Sequence, residues 1–256
     1  MKYNNETLGA LALIFAGVFL SFGGVIIRFM ESSSAWQITG YRSITFSLAI
    51  LLYILIKYKK DTPHAFKKIG HSGILIALIL GFSNTCFVWG MSTTTVSNAV
   101  FIMSTGPLFA AICSYFFLKR KIGKKTFIAI AGSMFGITIM FSGGMESSNY
   151  IGNIIILGVP IGFAFQLTLL NYNSHIDFMP ATFLGGVFSS LIGFIFMANL
   201  DISTHDLLLC LFMGAFQVGI GFMLITIGSR YIPPHRAALF LLCLLYTSDA
   251  ADDVRC

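Results

Sequence analysis

One cationic side chain lies inside a long apolar stretch. Arg42 stands in "ITGYRSITFSLAILLYILI", about a third of the way into a run that is long enough to cross a membrane. A charge inside hydrocarbon costs about 2.5–3.5 kcal/mol on insertion scales, so such a residue is by default a candidate for a functional site. Arg42 could bind a carboxylate or phosphate group of a substrate. Alternatively, it extends to the nearby outer interface or pairs with Glu31.

A second candidate is a break in an otherwise apolar run. Gly106 and Pro107 interrupt the stretch "VFIMSTGPLFAAI" near its middle. Pro107 cannot donate a hydrogen bond to the carbonyl of Met103, so a backbone acceptor becomes free at that point. Broken helices at mid-membrane depth form binding sites in transporters. Ser104 and Thr105 are candidates to contact a solute there, or they satisfy the freed backbone locally.

Amide and indole side chains complete the candidate set. Amides facing lipid would be costly, so we expect them to point inward, either to a substrate or to an interhelical hydrogen bond worth about 0.6 kcal/mol. The indole lies near the end of its run and could instead belong to the interfacial aromatic belt. The candidate substrate-binding residues are Arg42, Asn84, Trp89, Ser104, Thr105, Pro107, Gln166 and Gln217.

Several chemistries have no residues to support them in the apolar runs. These runs contain no Asp, Glu or His, the usual groups of a proton relay. No phosphate-binding loop points to ATP, and no metal-ligand or catalytic motif points to an enzyme. The five cysteines include no C-x-x-C pair. The sequence therefore predicts no cofactor, no metal and no catalytic residue.

The elements that position these residues are membrane spans. The chain is 56% hydrophobic and 10% charged, whereas a soluble domain carries about 25% charged residues. Most of its lysines and arginines lie in short loops, and they form no face that would bind nucleic acid. The first apolar run is too long for a signal peptide. Eight spans are predicted, at 8–29, 35–56, 72–91, 97–118, 126–143, 151–170, 180–199 and 207–228, and a ninth begins near Arg236.

Loop charges orient these spans. Loops 57–71 and 119–125 together carry ten lysines and arginines, and they lie two spans apart. Basic loops remain in the cytoplasm, so both loops and the N-terminus are predicted to face it. The protein is then a multi-pass protein of the cell (inner) membrane.

An internal repeat underlies the pattern. A shift of 138 residues places Gly81 on Gly219 and Gly90 on Gly228, and a shift of 143 places Gly9 on Gly152. Each unit holds five spans, an odd number, so the second copy must be inverted in the membrane. Inverted repeats are the architecture of secondary transporters, with the substrate between the halves. We expect a first unit at 1–143 and a second, incomplete unit at 144–242.

The order of these motifs resembles the drug/metabolite transporter superfamily, and specifically its EamA-like family. The resemblance rests on "ITGYRSITFSL", on "SNAVFIMSTGPLFAAICSYFFLKRKIGKK" and on "SRYIPPHRAALFLL", which repeats the start of the second stretch. It implies an all-α bundle of ten helices in two inverted five-helix repeats, of which about eight and a half are present here. It also implies export of a small metabolite, amino acid or drug-like solute by alternating access. Members of the family often have a Glu at the end of span four, and the matching position in this chain is at about residue 120, an arginine.

The last residues depart from the family pattern. The stretch "CLLYTSDAADDVRC" replaces the rest of the ninth span. It resembles the read-through translation of a sequencing adapter, so we expect 243–256 to be a non-native tail.

The alternative function is a membrane enzyme or sensor that uses the same bundle. Because the spans lack a titratable relay, we expect a facilitator or exchanger.

Overall fold

A computed structural model describes residues 2–31, 33–119, 123, 127–128, 130–132, 135 and 150–241. The predicted fifth span, 126–143, lies mostly outside these residues. The expected non-native tail, 243–256, lies wholly outside them.

The described chain is built of helices. No strand occurs in the ranges given above. Lys59–Asp61 forms one 3-10 turn, and Met213–Ile220 is wound as a π-helix. The α-helices are α1 Lys2–Arg28, α2 Ala35–Tyr58, α3 Thr62–Lys68, α4 Gly70–Thr93, α5 Val96–Met103, α6 Gly106–Leu118, α7 Tyr150–Tyr172, α8 Met179–Phe196, α9 Thr204–Phe212, α10 Gly221–Gly228 and α11 at 234–241.

Seven helical stretches in the described residues are long and apolar enough to span a membrane. They coincide with seven of the eight predicted spans, which confirms an all-α, multi-pass membrane protein. The outer surface agrees, since large apolar side chains such as Phe116 (71% exposed) and Ile195 (73% exposed) point away from the bundle. Lipid is the solvent in which such a surface is stable.

Two caps set the ends of spans on one side of the bundle. Ser34 accepts the backbone N–H of Gln37, and the Gln37 side chain accepts the N–H of Ser34, so a capping box starts α2. Ser203 accepts the N–H of Asp206 and starts α9. The predicted span 207–228 leaves Asp206 in a loop. That placement is wrong: the Ser203 cap starts the helix earlier and puts Asp206 in its first turn, where the side chain is buried.

Two spans depart from regular α-helix at mid-length, and a third contains a proline there. Span four divides at Ser104 and Thr105, and α6 restarts with Pro107 in its first turn, where a missing N–H costs nothing. Pro160 lies inside α7. The last span divides into α9, the π segment and α10. Such interruptions gather where a helix bundle binds something.

Close helix packing brings these interruptions together. α2 packs on α8, α4 packs on α7 and α8, and α1 packs on α10. The α2–α8 crossing is tight, because a Cβ on Gly193 would lie 2.5 Å from the backbone nitrogen of Gly40. A buried apolar cluster joins α1, α6, α7, α10 and α11 through Leu13, Ala110, Leu167, Ile225 and Leu241.

Candidate functional site

A cavity of about 120 Å³ lies between the helices at the level of the interruptions. Every spanning helix of the described chain except α8 contributes to its wall. Its lining consists of Gly17, Leu20, Arg42, Ser83, Asn84, Phe87, Met103, Gly106, Pro107, Val159, Pro160, Phe163, Gln217, Val218, Phe222, Ala238 and Leu241. It is the kind of concave, mostly apolar site that binds small molecules.

Arg42 is the cation of this wall. It is 1% exposed, and its Nη2 donates to the backbone oxygen of Asn84 at 3.4 Å and, by a short hydrogen bond, to the Asn84 Oδ1. The guanidinium lies over the ring of Phe87, 5.7 Å from its centre. Arg42 therefore neither reaches the outer interface nor forms an ion pair with Glu31.

The charge of Arg42 is not balanced inside the described structure. None of its nitrogens lies within 4.0 Å of a carboxylate of the described residues, and its Nε has no hydrogen-bond partner there. A buried charge without a partner costs several kcal/mol. The site is thus prepared for an acceptor, and a negatively charged one compensates best.

Asn84 is held in place by two serines from neighbouring helices. Its Nδ2 donates to the Oγ of Ser43 at 3.3 Å and to the Oγ of Ser189 at 3.2 Å. Ser43 in turn donates to Ser189 at 3.1 Å. This fixes the Asn84 amide so that its oxygen faces Arg42. Neither serine was predicted from the sequence, because a single serine in an apolar run has no distinguishing pattern.

The broken helices meet across the cavity. Gly106 and Pro107 line it from α6, and Pro160 lines it from α7, with its Cβ 3.9 Å from a Cβ built on Gly106. Pro160 frees the carbonyl of Ile156, as Pro107 frees that of Met103. Pro160 is not among the predicted site residues, although a proline within the run "LGVPIGFAF" is a sufficient signal.

The two hydroxyls before Gly106 serve the backbone. Thr105 Oγ1 donates to the carbonyl of Ile102 at 2.6 Å, and Ser104 Oγ donates to the carbonyl of Phe101 by a short hydrogen bond. Neither residue belongs to the cavity lining. Of the two roles predicted for this pair, solute contact or local satisfaction of the backbone, their contacts fit the second.

Of the three remaining candidate residues, one lies in the cavity wall and two lie outside it. Gln217 lines the cavity, and its Nε2 donates to the carbonyl of Leu20 at 3.0 Å. Gln166 is buried away from the lining, and neither of its amide atoms has a hydrogen-bond partner in the part of the chain that the structure describes. Trp89 is 37% exposed and contacts Trp36, with ring centres 5.2 Å apart. Of the eight predicted residues, the cavity brings together Arg42, Asn84, Pro107 and Gln217.

Aromatic rings supply most of the remaining wall. Phe87 lies beneath the Arg42 guanidinium, and Phe163 meets Phe222 edge to face, with ring centres 6.2 Å apart. The wall is therefore largely apolar, with one cation, two amides and the hydroxyl of Ser83. Such a site accommodates a solute with an apolar body and a single polar group.

Polar clusters close both ends of the bundle. At one end Asp177 accepts hydrogen bonds from Lys57 at 2.6 Å and from Tyr58, and it pairs with Arg230 at 2.5 Å. Burial alone raises the pKa of Asp177, but these hydrogen bonds and the charge of Arg230 outweigh burial and lower the pKa below its usual value. This Asp177 cluster ties the end of α2 to the start of α8 and to the segment after α10.

The opposite end has a cluster around Asp206. Its carboxylate accepts the backbone N–H of Glu31 at 3.1 Å and the hydroxyl of Ser33 at 2.6 Å, and it lies 3.2 Å from the Nδ1 of His205. The Asp206 cluster ties the segment between α1 and α2 to the start of α9.

A multi-pass helical bundle with a largely apolar cavity between interrupted helices is the architecture of secondary membrane transporters. Residues 7–142, more than half of the chain, match the EamA-like transporter family. The chain belongs to the EamA-like transporter family.

Known proteins agree with this assignment. An uncharacterized transporter of Bacillus subtilis, YetK, is 26% identical over 75% of this chain, and the match spans 59% of the relative's length. A protein of Rickettsia bellii named as an S-adenosylmethionine uptake transporter is 30% identical over 41% of this chain and 35% of its own length. One crystal structure superimposes with a TM-score of 0.73 at 12% identity, covering 95% of this chain and 88% of the other, and supports the fold.

Proposed function

We propose that this membrane transporter carries a small organic solute across the cell membrane by alternating access, with the central cavity as its binding site. The observation that carries the proposal is the position of the cavity. It lies where the broken span four, the proline of α7 and the π segment meet. Among the described residues, the two prolines that free backbone carbonyls and the buried Arg42 come together in this cavity.

Two inverted repeats, at 1–143 and 144–242, would provide the two alternating arrangements. The contacts support this division. Gly90 packs against Ile156, whose Cβ lies 2.9 Å from a Cβ built on the glycine, and Gly228 packs against Leu13, whose Cγ lies at the same distance. The shifts of 138 and 143 residues exchange these two contacts, since they place Gly90 on Gly228 and Leu13 on Ile156. A pseudo-two-fold relation between the halves accounts for both contacts at once.

The two end clusters are suited to close the cavity in turn. With the basic loops in the cytoplasm, the Asp177 cluster lies on the cytoplasmic side and the Asp206 cluster on the outer side. Each cluster joins helices of both proposed repeats, so rocking of one repeat against the other would break one cluster while keeping the other. Export is the direction that the family resemblance suggests. The named cargo of the Rickettsia relative supports an organic solute.

The proposal is tested by accessibility of the cavity from each side. Ser83 lines the cavity, whereas Ser114 is buried and absent from the lining, so Ser83→Cys and Ser114→Cys form a matched pair. The purified protein is inserted in vesicles of known orientation and treated with a membrane-impermeant thiol reagent. Alternating access predicts modification of Ser83→Cys from either side and of Ser114→Cys from neither.

Two outcomes would contradict alternating access. Modification of Ser83→Cys from one side only would describe a closed bundle with a one-sided pocket, as in a membrane enzyme or a sensor. Modification from both sides together with a steady leak of small ions would describe a channel. Transport itself is measured as counterflow in proteoliposomes, where an unlabelled solute drives a labelled one.

A further inference from the structure

The charges in the cavity wall point to the charge of the solute. Among the described lining residues Arg42 is the single charged side chain, and none is an Asp or Glu. In a mostly apolar wall an unpaired cation is expensive, whereas an ion pair with good hydrogen bonds offsets much of that cost. A solute with one negative charge therefore gains most from this wall.

The partners of Arg42 are neutral, and they are fixed. Asn84 offers carbonyl dipoles and no charge, and the serine hydroxyls at 3.2–3.3 Å hold its amide in place. Nε of Arg42 remains without a partner in the described residues. Guanidinium groups present a planar set of donors that matches the two oxygens of a carboxylate.

Charge number distinguishes a carboxylate from a phosphate. A phosphate monoester carries about −1.5 to −2 charges near neutral pH, so one arginine would leave it partly unbalanced in an apolar wall. A carboxylate carries one negative charge, which Arg42 balances in full. An added ammonium group would have no carboxylate to meet among the described lining residues, and it would be repelled by Arg42.

The rest of the wall defines the body of the solute. Phe87 lies directly beside the guanidinium, and Phe163 and Phe222 lie further along the wall. Rings and alkyl groups pack well against such a surface. A polar or strongly hydrated body would lose hydrogen bonds there.

We propose that the transported solute is a small organic monoanion: a carboxylate on an apolar or aromatic body, without an ammonium group. Arg42 binds the carboxylate, Asn84 positions Arg42, and the phenylalanine rings hold the body. This deepens the proposed transport function and rests on it.

Four probes that share a benzene ring separate the possibilities by charge: phenylacetate, phenylacetamide, phenethylamine and phenyl phosphate. Binding of each is measured by equilibrium dialysis with the purified protein in lipid nanodiscs at neutral pH. The expected order places phenylacetate first, at least tenfold tighter than the neutral amide of the same shape. Phenyl phosphate follows the carboxylate, and the amine binds weakest.

Variants assign the preference to Arg42. Arg42→Gln is expected to weaken phenylacetate at least tenfold, about 1.4 kcal/mol, and to leave phenylacetamide within a factor of two. Arg236→Gln is the matched control, because Arg236 is exposed and lies outside the lining, and it should bind all four probes as the parent does. Asn84→Asp preserves the shape but supplies an internal counter-charge, so it should lose phenylacetate and retain the neutral amide.

The inference is overturned if phenylacetate binds no tighter than phenylacetamide, or if both cavity variants bind it like the parent. Tighter binding of phenyl phosphate than of phenylacetate would contradict the carboxylate and identify a phosphate as the preferred anion. Binding and counterflow of the amine or the neutral amide alone would reject the monoanion while leaving the transport function intact. Loss of two-sided labelling at Ser83→Cys would reject the transport function itself.

Discussion

The crossing of α2 and α8 is a point where a single added methyl group should be costly. A Cβ on Gly193 would lie 2.5 Å from the nitrogen of Gly40, 2.6 Å from its Cα and 3.0 Å from the backbone oxygen of Trp36. Non-bonded carbon atoms prefer about 3.5–4.0 Å, so the two helices must separate by about 1 Å. Because the opposing atoms are backbone, no side chain can rotate away.

The expected loss of stability follows from three contributions. Overpacking of a rigid contact costs about 1–3 kcal/mol. Separation also weakens the hydrogen bond from Ser190 to the carbonyl of Gly40, now 3.3 Å, worth about 0.6 kcal/mol in membrane bundles. Alanine regains up to about 1 kcal/mol through its better helix propensity. With the full gain in helix propensity, Gly193→Ala should therefore destabilise the protein by about 0.6–2.6 kcal/mol.

Thermal unfolding in detergent, followed by tryptophan fluorescence, measures this loss. A protein of this size loses about 2–4 °C of Tm per kcal/mol. Gly106→Ala is the control, because its Cβ would meet only Pro160 Cβ at 3.9 Å, which is ordinary contact. The packing argument is wrong if Gly193→Ala melts at or above the temperature of the parent and of Gly106→Ala.

Three further expectations concern the ends of the bundle. Asp177→Asn should lower stability by about 1–3 kcal/mol, because Lys57 and Arg230 lose the carboxylate that balances their charges, and thermal unfolding measures the loss. The pKa of Asp177 is lower in the folded state than the unfolded value of about 4. Its contribution to the free energy of unfolding is therefore present above the unfolded pKa and disappears as the pH falls through the folded pKa. The Tm of Asp177→Asn should accordingly change less with acid pH than that of the parent. For orientation, an impermeant thiol reagent added outside cells should modify Ser148→Cys and spare Lys59→Cys, and the reverse pattern would invert the predicted topology.

Local sequence patterns sufficed to predict the spans. A run of about 20 apolar residues has few alternatives to a membrane helix, since backbone groups in lipid must be satisfied within the segment. The break before Pro107 was equally readable, because a proline removes a hydrogen bond wherever it stands in a helix. Arg42 was identified by the free-energy cost of a charge in hydrocarbon. This cost depends on the depth of the residue in the span, so it can be judged without knowing which residues the side chain contacts.

Which polar residues meet was decided by the tertiary structure. In lipid a helix is apolar on all sides, so no periodic polar face shows which side meets protein and which meets lipid. Asn84 and Gln166 are both amides within apolar runs, yet one contacts Arg42 and the other lies away from the cavity. Only helix packing brought Ser189 to Asn84 across 105 positions of sequence, and only tertiary contact placed Glu31 and Ser33 against the carboxylate of Asp206. The sequence alone therefore determined which segments cross the membrane and which residues are costly there, and packing of backbones at glycine contacts determined which of those residues share one cavity.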